Sequence, residues 1–319
     1  MKMKTLAAVA VATALLCAGQ IASAKDKLDS IIESGKLRCA VVLDFPPMGS
    51  RDASNNPVGF DVDYCGDLAK VLGVKAEIVE TPFADRIPAL VSNRVDIVVG
   101  STSDTLERAK TVGMSIPYFA FTMVVLTRED KKITNYADLK GHPVGNTVST
   151  YEAIALEKDV KAWNDKKGSF LAFPTQADTI LAVSQGKIDA TVATSTVAFA
   201  SIKSGKYDKR LKVGGNAPYP IDYVSLVAPR GEYGLINYLN LFVNQQVRTG
   251  RYAELYKKWV GDGKAPDLMV PGVYYYPRLL KRLCTAPARV VPEELTDANA
   301  CNHRQSPDLG HGAGAGPIW

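Results

Sequence analysis

The chain has 319 residues, more than a single hydrophobic core usually holds, so its length favours two domains and excludes a small disulfide scaffold. Hydrophobic residues make up 46% and charged residues 22%, which argues against a disordered or fibrous chain. Of the formal net charge of +5, the first 24 residues contribute two positive charges and the last 44 contribute one, which leaves +2 for residues 25–275. A net charge this close to zero does not provide the positive surface that would neutralise a phosphate backbone, so we expect no nucleic-acid partner.

The N-terminus has the pattern of a secretory signal. Residues 1–4 are basic, residues 6–18 are apolar, and Ala22-Ser23-Ala24 has the small-x-small form of a cleavage site. We expect residues 1–24 to be a signal peptide that is removed after Ala24; an uncleaved membrane anchor is the alternative, because residues 5–24 carry no charge. No later run reaches the roughly 18 apolar residues that span a bilayer.

Export leads to an oxidising compartment, in which Cys39 and Cys65 can form a disulfide. Cys39 falls in a predicted strand and Cys65 on the following predicted helix, two elements that would pack together. Two buried free thiols are the alternative. Neither cysteine has a histidine nearby in sequence, so thiol catalysis is not expected.

Buried strands alternate with helical patterns along the chain, which predicts an α/β fold with parallel sheets. The strands are predicted at 37–43, 95–99 and 188–193. Residues 87–96 also recur in pattern at 180–189, and each copy reads as a helix, a tight turn and a strand. Two similar units about a hundred residues apart indicate two lobes with a cleft between them.

The loops after the predicted strands are rich in polar and aromatic residues. They cover residues 44–48, 100–108 and 144–152. Ligands of open α/β sheets bind outside the carboxyl ends of the strands, so these loops form the candidate site.

The C-terminal part changes character along its length. Residues 235–259 keep helical apolar spacing around a break at Gly250, which predicts a core element. Residues 276–319 lack periodicity and are predicted to be mostly disordered. The spacings of Cys284, Cys301, His303 and His311 match no common zinc pattern, so we expect neither a metal nor a cofactor.

A set of short motifs identifies a family. In chain order, the sequence has G-K-L-R at Gly35, F-P-P at Phe45, G-F-D-V-D at Gly59, I-P-A-L at Ile87, T-L-E-R-A at Thr105 and a closing helix to Trp259. Together with the signal peptide, they resemble the family 3 bacterial extracellular solute-binding proteins, the periplasmic polar amino-acid receptors of ABC importers. The resemblance covers residues 30–262 and is specific as a set.

This resemblance implies the type II periplasmic-binding fold, with two α/β lobes joined by two hinge strands. Lobe one is expected at 25–124 plus 227–275, lobe two at 125–226, and the crossings at 124–127 and 223–226. A two-strand hinge permits rigid-body closure around a ligand. The implied partners are a small amino acid or related carboxylate and a membrane permease, and the protein is expected to be a monomer.

Five residues are predicted to bind the ligand's polar groups, its carboxylate above all. Arg108 occupies the family's carboxylate-binding position, and its planar guanidinium matches a carboxylate bidentately; a solvated surface arginine is the alternative. Ser101 and Ser103 would supply hydroxyl and backbone donors, unless they only cap a helix. Ser149 and Thr150 lie at a predicted helix N-terminus, which favours an anion.

The remaining predicted contacts concern the ligand's side chain and ammonium group. Phe45 and Phe83 align with the family's aromatic positions around the side chain, although both could be core residues. Thr194 stands where many relatives keep an ammonium-binding aspartate. We therefore expect Asp222, or else Asp44 or Glu152, to compensate, unless the ligand lacks an α-amine.

Binding without catalysis is the leading function. The alternative is an enzyme that resembles the periplasmic cyclohexadienyl dehydratases, which share the fold and use an acidic residue in the cleft. Glu152 could be such an acid. Against this alternative, the sequence shows no nucleophile and base in a recognisable pattern and no metal-ligand spacing.

Overall fold

The computed structural model describes residues 26–207 and 210–268. The predicted signal peptide and the predicted tail at 276–319 lie outside these residues. Within the described ranges, no helix has both the length and the apolar character that crossing a membrane requires.

Helices and strands alternate along most of this chain. The first stretch contains α1 (Lys27–Ser34), β1 (Lys36–Val41), β2 (Ser50–Arg51), β3 (Pro57–Val58), α2 (Phe60–Leu72), β4 (Lys75–Glu80), α3 (Arg86–Val91), β5 (Ile97–Ser103), α4 (Leu106–Ala109) and β6 (Val112–Phe121). The middle stretch contains β7 (Met123–Arg128), β8 (Pro143–Thr147), α5 (Tyr151–Trp163), β9 (Ser169–Phe173), α6 (Gln176–Gln185), β10 (Ala190–Thr194), α7 (Ser195–Ser204) and β11 (Leu211–Asn216). The last stretch contains β12 (Asp222–Pro229), α8 (Tyr233–Arg248) and α9 (Arg251–Trp259). The α/β class and the three predicted strands are confirmed, with ends shifted by one to four residues.

Two five-stranded sheets organise the molecule. The first sheet has the order β4-β1-β5-β12-β6, and the second has the order β11-β7-β10-β8-β9. Pairing is parallel among β4, β1 and β5 and among β9, β8 and β10. The expectation of parallel sheets is confirmed for these three strands of each sheet and is wrong for β12 and β7, which run antiparallel to their neighbours. Each is the strand that the chain enters directly after passing from the other sheet, without the crossover helix that a parallel pair needs.

The chain passes twice between the sheets. Thr122 separates β6 from β7, and residues 217–221 separate β11 from β12. The predicted hinge strands at 124–127 and 223–226 lie within β7 and β12, which begin directly after these two passages. The division of the chain into two mobile lobes stays a prediction.

The internal repeat in the sequence corresponds to a repeat in structure. In the first sheet, α3 leads through a turn at Asn93 (φ 58°) into β5; in the second, α6 leads through Gly186 (φ 80°) into β10. The aspartate of each copy binds an arginine, Arg38 at 2.7 Å from Asp96 and Arg128 at 3.2 Å from Asp189. The two units therefore share a helix, a turn, a strand and an ion pair.

Of the two alternatives for Cys39 and Cys65, the structure has the disulfide. Cys39 of β1 and Cys65 of α2 are disulfide-bonded across 26 residues, and both are fully buried. Closing a loop of that length in the unfolded chain stabilises the fold by about 3.5 kcal/mol in the chain-entropy account. The bond fixes α2 against the strand that leads into the loop at 44–48.

The predicted C-terminal core element is also confirmed. Helices α8 and α9 meet at Gly250, whose φ of 81° suits a residue without a Cβ. Leu239, Val243 and Leu255 are buried. Val247, which continues the spacing of Leu239 and Val243 by one helical turn, is 48% exposed.

Candidate functional site

A small cavity, of about 10 Å³, lies between the two sheets, at the carboxyl ends of β5, β8 and β10. Ligands of open α/β folds bind at this end of the strands. Of the nine residues predicted to form the site, Phe45, Phe83, Ser101, Ser103, Thr150, Thr194 and Asp222 line the cavity. The further lining residues are Arg86, Phe121, Tyr151 and Glu152.

The two remaining predicted residues, Arg108 and Ser149, contact each other beside the cavity. The Arg108 guanidinium donates to the carbonyl of Ser103 at 3.1 Å and to the carbonyl of Ser149 at 2.9 Å. Ser149 has a φ of 63°, and it comes from the opposite sheet. Burial lowers the pKa of Arg108, while Asp222 and Glu152 oppose that shift. Arg108 therefore joins the two halves through backbone oxygens.

Arg86 is the main residue that the sequence reasoning missed. Its side chain is 3% exposed, and its Nε donates to the carbonyl of Phe83 at 3.1 Å. Its Nη1 donates to Gly100 (2.6 Å) and Ser101 (2.9 Å), and its Nη2 donates to Ser149 (3.3 Å). Burial lowers the pKa of Arg86 to about 9. The one signal in the sequence was a charged residue immediately before the apolar I-P-A-L motif.

The two predicted serines are oriented by carboxyl groups. Ser101 has a φ of 48°, and its Oγ donates to Asp61 Oδ2 at 3.2 Å; Tyr118 Oη donates to the other Asp61 oxygen at 2.8 Å. Burial raises the pKa of Asp61 to about 7. Ser103 Oγ donates to Asp222 Oδ2 at 3.1 Å. Both hydroxyls thus have protein acceptors, and a buried network under the cavity holds Ser101 in place.

Two carboxyl groups reach the cavity from different halves. Asp222 begins β12, and burial together with the charge of Glu152 raises its pKa to about 7. Glu152 lies in the first turn of α5 and is 4% exposed. Burial raises its pKa, against the opposing effects of its own N–H, of Arg86 and of Arg108. The α5 N-terminus predicted to hold an anion therefore already carries this carboxyl.

Thr150 is the cap of that helix. Its Oγ1 accepts from the Ala153 N–H at 3.2 Å and donates to the Thr147 carbonyl at 2.9 Å. Thr194 ends β10 and is 3% exposed. Asp44, one of the three candidates for binding an ammonium group, does not line the cavity; its Oδ2 accepts from the Gln176 N–H at 2.7 Å.

Aromatic rings form the apolar wall of the cavity. Phe45 packs edge-to-face on Phe83, with ring centroids 5.1 Å apart, and on Phe121 at 6.0 Å. Phe121, at the end of β6, is buried from solvent and lines the cavity. Tyr151 of α5 completes this wall from the other side.

No group of three or more His, Cys, Asp or Glu side chains is placed to hold a metal ion within residues 26–207 and 210–268. The four cysteine and histidine residues considered for zinc lie outside these ranges.

Comparisons with known proteins agree on one family. A family described as "Bacterial extracellular solute-binding proteins, family 3" matches residues 37–262. A glutamine-binding protein of an ABC transporter from Bacillus subtilis is 27% identical over 76% of this chain and 88% of its own length. A cyclohexadienyl dehydratase from Pseudomonas aeruginosa is 26% identical over 77% of this chain and 91% of its own length. The crystal structure of an ancestral amino acid-binding protein, a precursor of cyclohexadienyl dehydratase, superposes with a TM-score of 0.66 at 30% identity, covering 74% of this chain and all of that one.

Replacing Arg86 with methionine should lower the free energy of unfolding by about 3 kcal/mol, because buried carbonyls would lose their donors. Chemical denaturation with urea measures this change. Arg51→Met is the matched control, since Arg51 is partly exposed and its loss should cost less than about 1 kcal/mol. Equal effects of the two substitutions would show that Arg86 does not hold the cavity wall.

Proposed function

The chain belongs to the family 3 bacterial extracellular solute-binding proteins and has their type II periplasmic-binding fold. On that premise we propose that it captures an amino acid or a related small carboxylate in the cavity between its sheets and delivers it to the membrane permease of an ABC importer. The observation that carries this proposal is the convergence of two guanidinium groups, Arg86 and Arg108, and two carboxyl groups, Asp222 and Glu152, at or beside one cavity between the sheets.

The site has both a guanidinium and carboxyl groups, which suit the carboxylate and the ammonium of an amino-acid zwitterion. Arg108 lies at the cavity edge, with an Nε–H beyond the two donors that Ser103 and Ser149 engage. A guanidinium recognises a carboxylate through paired donors, and partial burial strengthens that attraction. We assign the ligand's α-carboxylate to Arg108, with the N-terminus of α5, which Thr150 caps, nearby.

The ammonium group needs a different partner from the one many relatives use, because Thr194 carries no charge. Asp222 lines the cavity and its carboxyl is oriented by Ser103. We assign the ammonium to Asp222, with Glu152 facing it from the other half. An ammonium between them would offset the mutual repulsion that contributes to the raised pKa of Asp222.

The side chain of the ligand would contact Phe45 and Phe83, with Phe121 and Tyr151 around it. Edge-to-face aromatic walls bind apolar or planar groups well. This wall is compatible with several amino acids and selects for none of them by charge.

The cellular setting follows from the family. We propose that residues 1–24 are removed and that the mature monomer works in the periplasm. Lobe one would contain the first sheet and lobe two the second, and they would close about the passages at Thr122 and 217–221. Hinge motion of this kind buries a ligand from both sides.

Arg108→Ala should weaken the binding of the amino acid that raises the melting temperature most in a screen. We expect a loss of about 100-fold, since a charged paired hydrogen bond is worth about 3 kcal/mol. Isothermal titration calorimetry measures the change. Arg94→Ala is the control, because Arg94 is exposed in the turn before β5. Unchanged affinity in Arg108→Ala would refute the carboxylate assignment.

Lowering the pH from 8 to 6 should weaken binding of the same amino acid by about tenfold. The pKa of Asp222 is raised to about 7, so its carboxylate is present above that pH and is lost as the pH falls through it. Glu152, whose pKa is also raised, acts in the same direction. Calorimetry at both pH values should find a smaller change in Asp222→Asn and with the deaminated analogue of the ligand. The same pH dependence in Asp222→Asn would refute this role.

A second candidate function is dehydration of a cyclohexadienyl substrate. Glu152 is a buried carboxyl with a raised pKa on the cavity wall, which suits a general acid, and one relative is named a cyclohexadienyl dehydratase. Under the binding proposal, the protein incubated with prephenate or arogenate should form no more aromatic product than Glu152→Gln, as followed by ultraviolet absorbance. Product with the unaltered protein, abolished in Glu152→Gln, would favour the enzyme.

A further inference from the structure

Asp44 makes a contact that the proposed binding site does not use. It follows β1 of the first sheet, and its Oδ2 accepts from the N–H of Gln176, 132 residues away, at 2.7 Å. Gln176 is the first residue of α6, which packs on the second sheet. The hydrogen bond therefore joins the two halves outside the cavity.

The N-terminus of α6 has a donor that its own unit does not satisfy. Thr175 caps the helix by accepting from the Asp178 N–H at 3.0 Å, and the Thr179 N–H bonds to the Thr175 carbonyl at 3.2 Å. The first N–H groups of a helix otherwise lack acceptors, and the helix dipole favours a negative charge there. Asp44 supplies a carboxyl acceptor to Gln176. Burial raises the pKa of Asp44, and the N–H groups of Gln176 and Ala177 oppose that shift by favouring its carboxylate.

The α6 N-terminus is also connected to the cavity wall. Thr147, at the end of β8, donates to Gln176 Oε1 at 3.3 Å, and its carbonyl accepts from Thr150. The next turn presents the Ser149 carbonyl to Arg86 and Arg108. The first half thus contacts this connected segment of the second half at two places: Asp44 bonds to Gln176, and the two arginines bond to Ser149.

We propose that Asp44 is a latch residue: its carboxylate caps α6 of the opposite half and holds the cleft closed, independently of any contact with the ligand. Opening would separate Asp44 from Gln176 and expose both groups to water. The latch raises the population of the closed state and slows release of the ligand. It rests on the proposed capture by closure, and its position outside the cavity makes it separable from ligand recognition.

Asp44→Ala should speed dissociation of the bound amino acid about tenfold, which corresponds to about 1.4 kcal/mol. Stopped-flow fluorescence measures that rate in the full chain. Asp44→Asn keeps an acceptor but loses the charge, so its dissociation rate should lie between that of the unaltered protein and that of Asp44→Ala. Asp52→Ala is the matched control, because Asp52 is an exposed aspartate that bonds only within its own turn.

Hydrogen exchange of the Gln176 amide, followed by NMR without added amino acid, tests the latch separately. Asp44→Ala should reduce the protection of that amide about tenfold and leave the Asp178 amide, which Thr175 caps, unchanged. Equal protection in the variant and the unaltered protein, or an unchanged dissociation rate, would overturn the latch. If no amino acid binds at all, the proposed function fails while this exchange measurement still decides the role of Asp44.

Discussion

The cavity depends on burying a guanidinium that bonds only to neutral groups among the described residues. Arg86 donates to carbonyls of Phe83, Gly100 and Ser101 in its own half and to Ser149 in the other. Desolvating a cation is costly unless its donors are satisfied and opposite charges lie near. Backbone oxygens satisfy the donors here, and the carboxyls of Glu152 and Asp222 attract the charge from across the cavity. Arg86 therefore both holds the cavity wall together and supplies positive charge opposite the two carboxyl groups.

Closure and recognition use different chemistry at neighbouring places. The carboxyl groups and aromatic rings face the cavity, whereas Asp44 and the guanidinium groups reach backbone atoms of the second half. Backbone atoms are suitable partners for closure because they are held by strands and helices and lose little conformational freedom when bound. In the function we propose, the ligand adds its own contacts to a closed arrangement that the chain already favours.

The sequence predicted the features that are local. Helices, strands, the repeat at 87–96 and 180–189, and seven cavity residues follow from periodicity and from short motifs. Arg86 was missed because its burial depends on carbonyls from three segments, and the Asp44 contact joins residues 132 positions apart. The antiparallel strands were missed because strand direction depends on how the chain crosses between sheets. The cysteine pairing could not be decided until the distance between β1 and α2 was known.

The shared carbonyl of Ser149 has an evolutionary consequence. A carbonyl oxygen has two lone pairs, so it can accept from Arg86 and Arg108 at once, and neither bond involves the serine side chain. Mutation at position 149 cannot delete this bridge directly; it can only alter how readily the backbone adopts a φ of 63°. Substitutions accepted at position 149 should favour glycine or asparagine, which tolerate that conformation. Arg86 and Arg108 should tolerate far fewer substitutions, because their side chains make the two bonds.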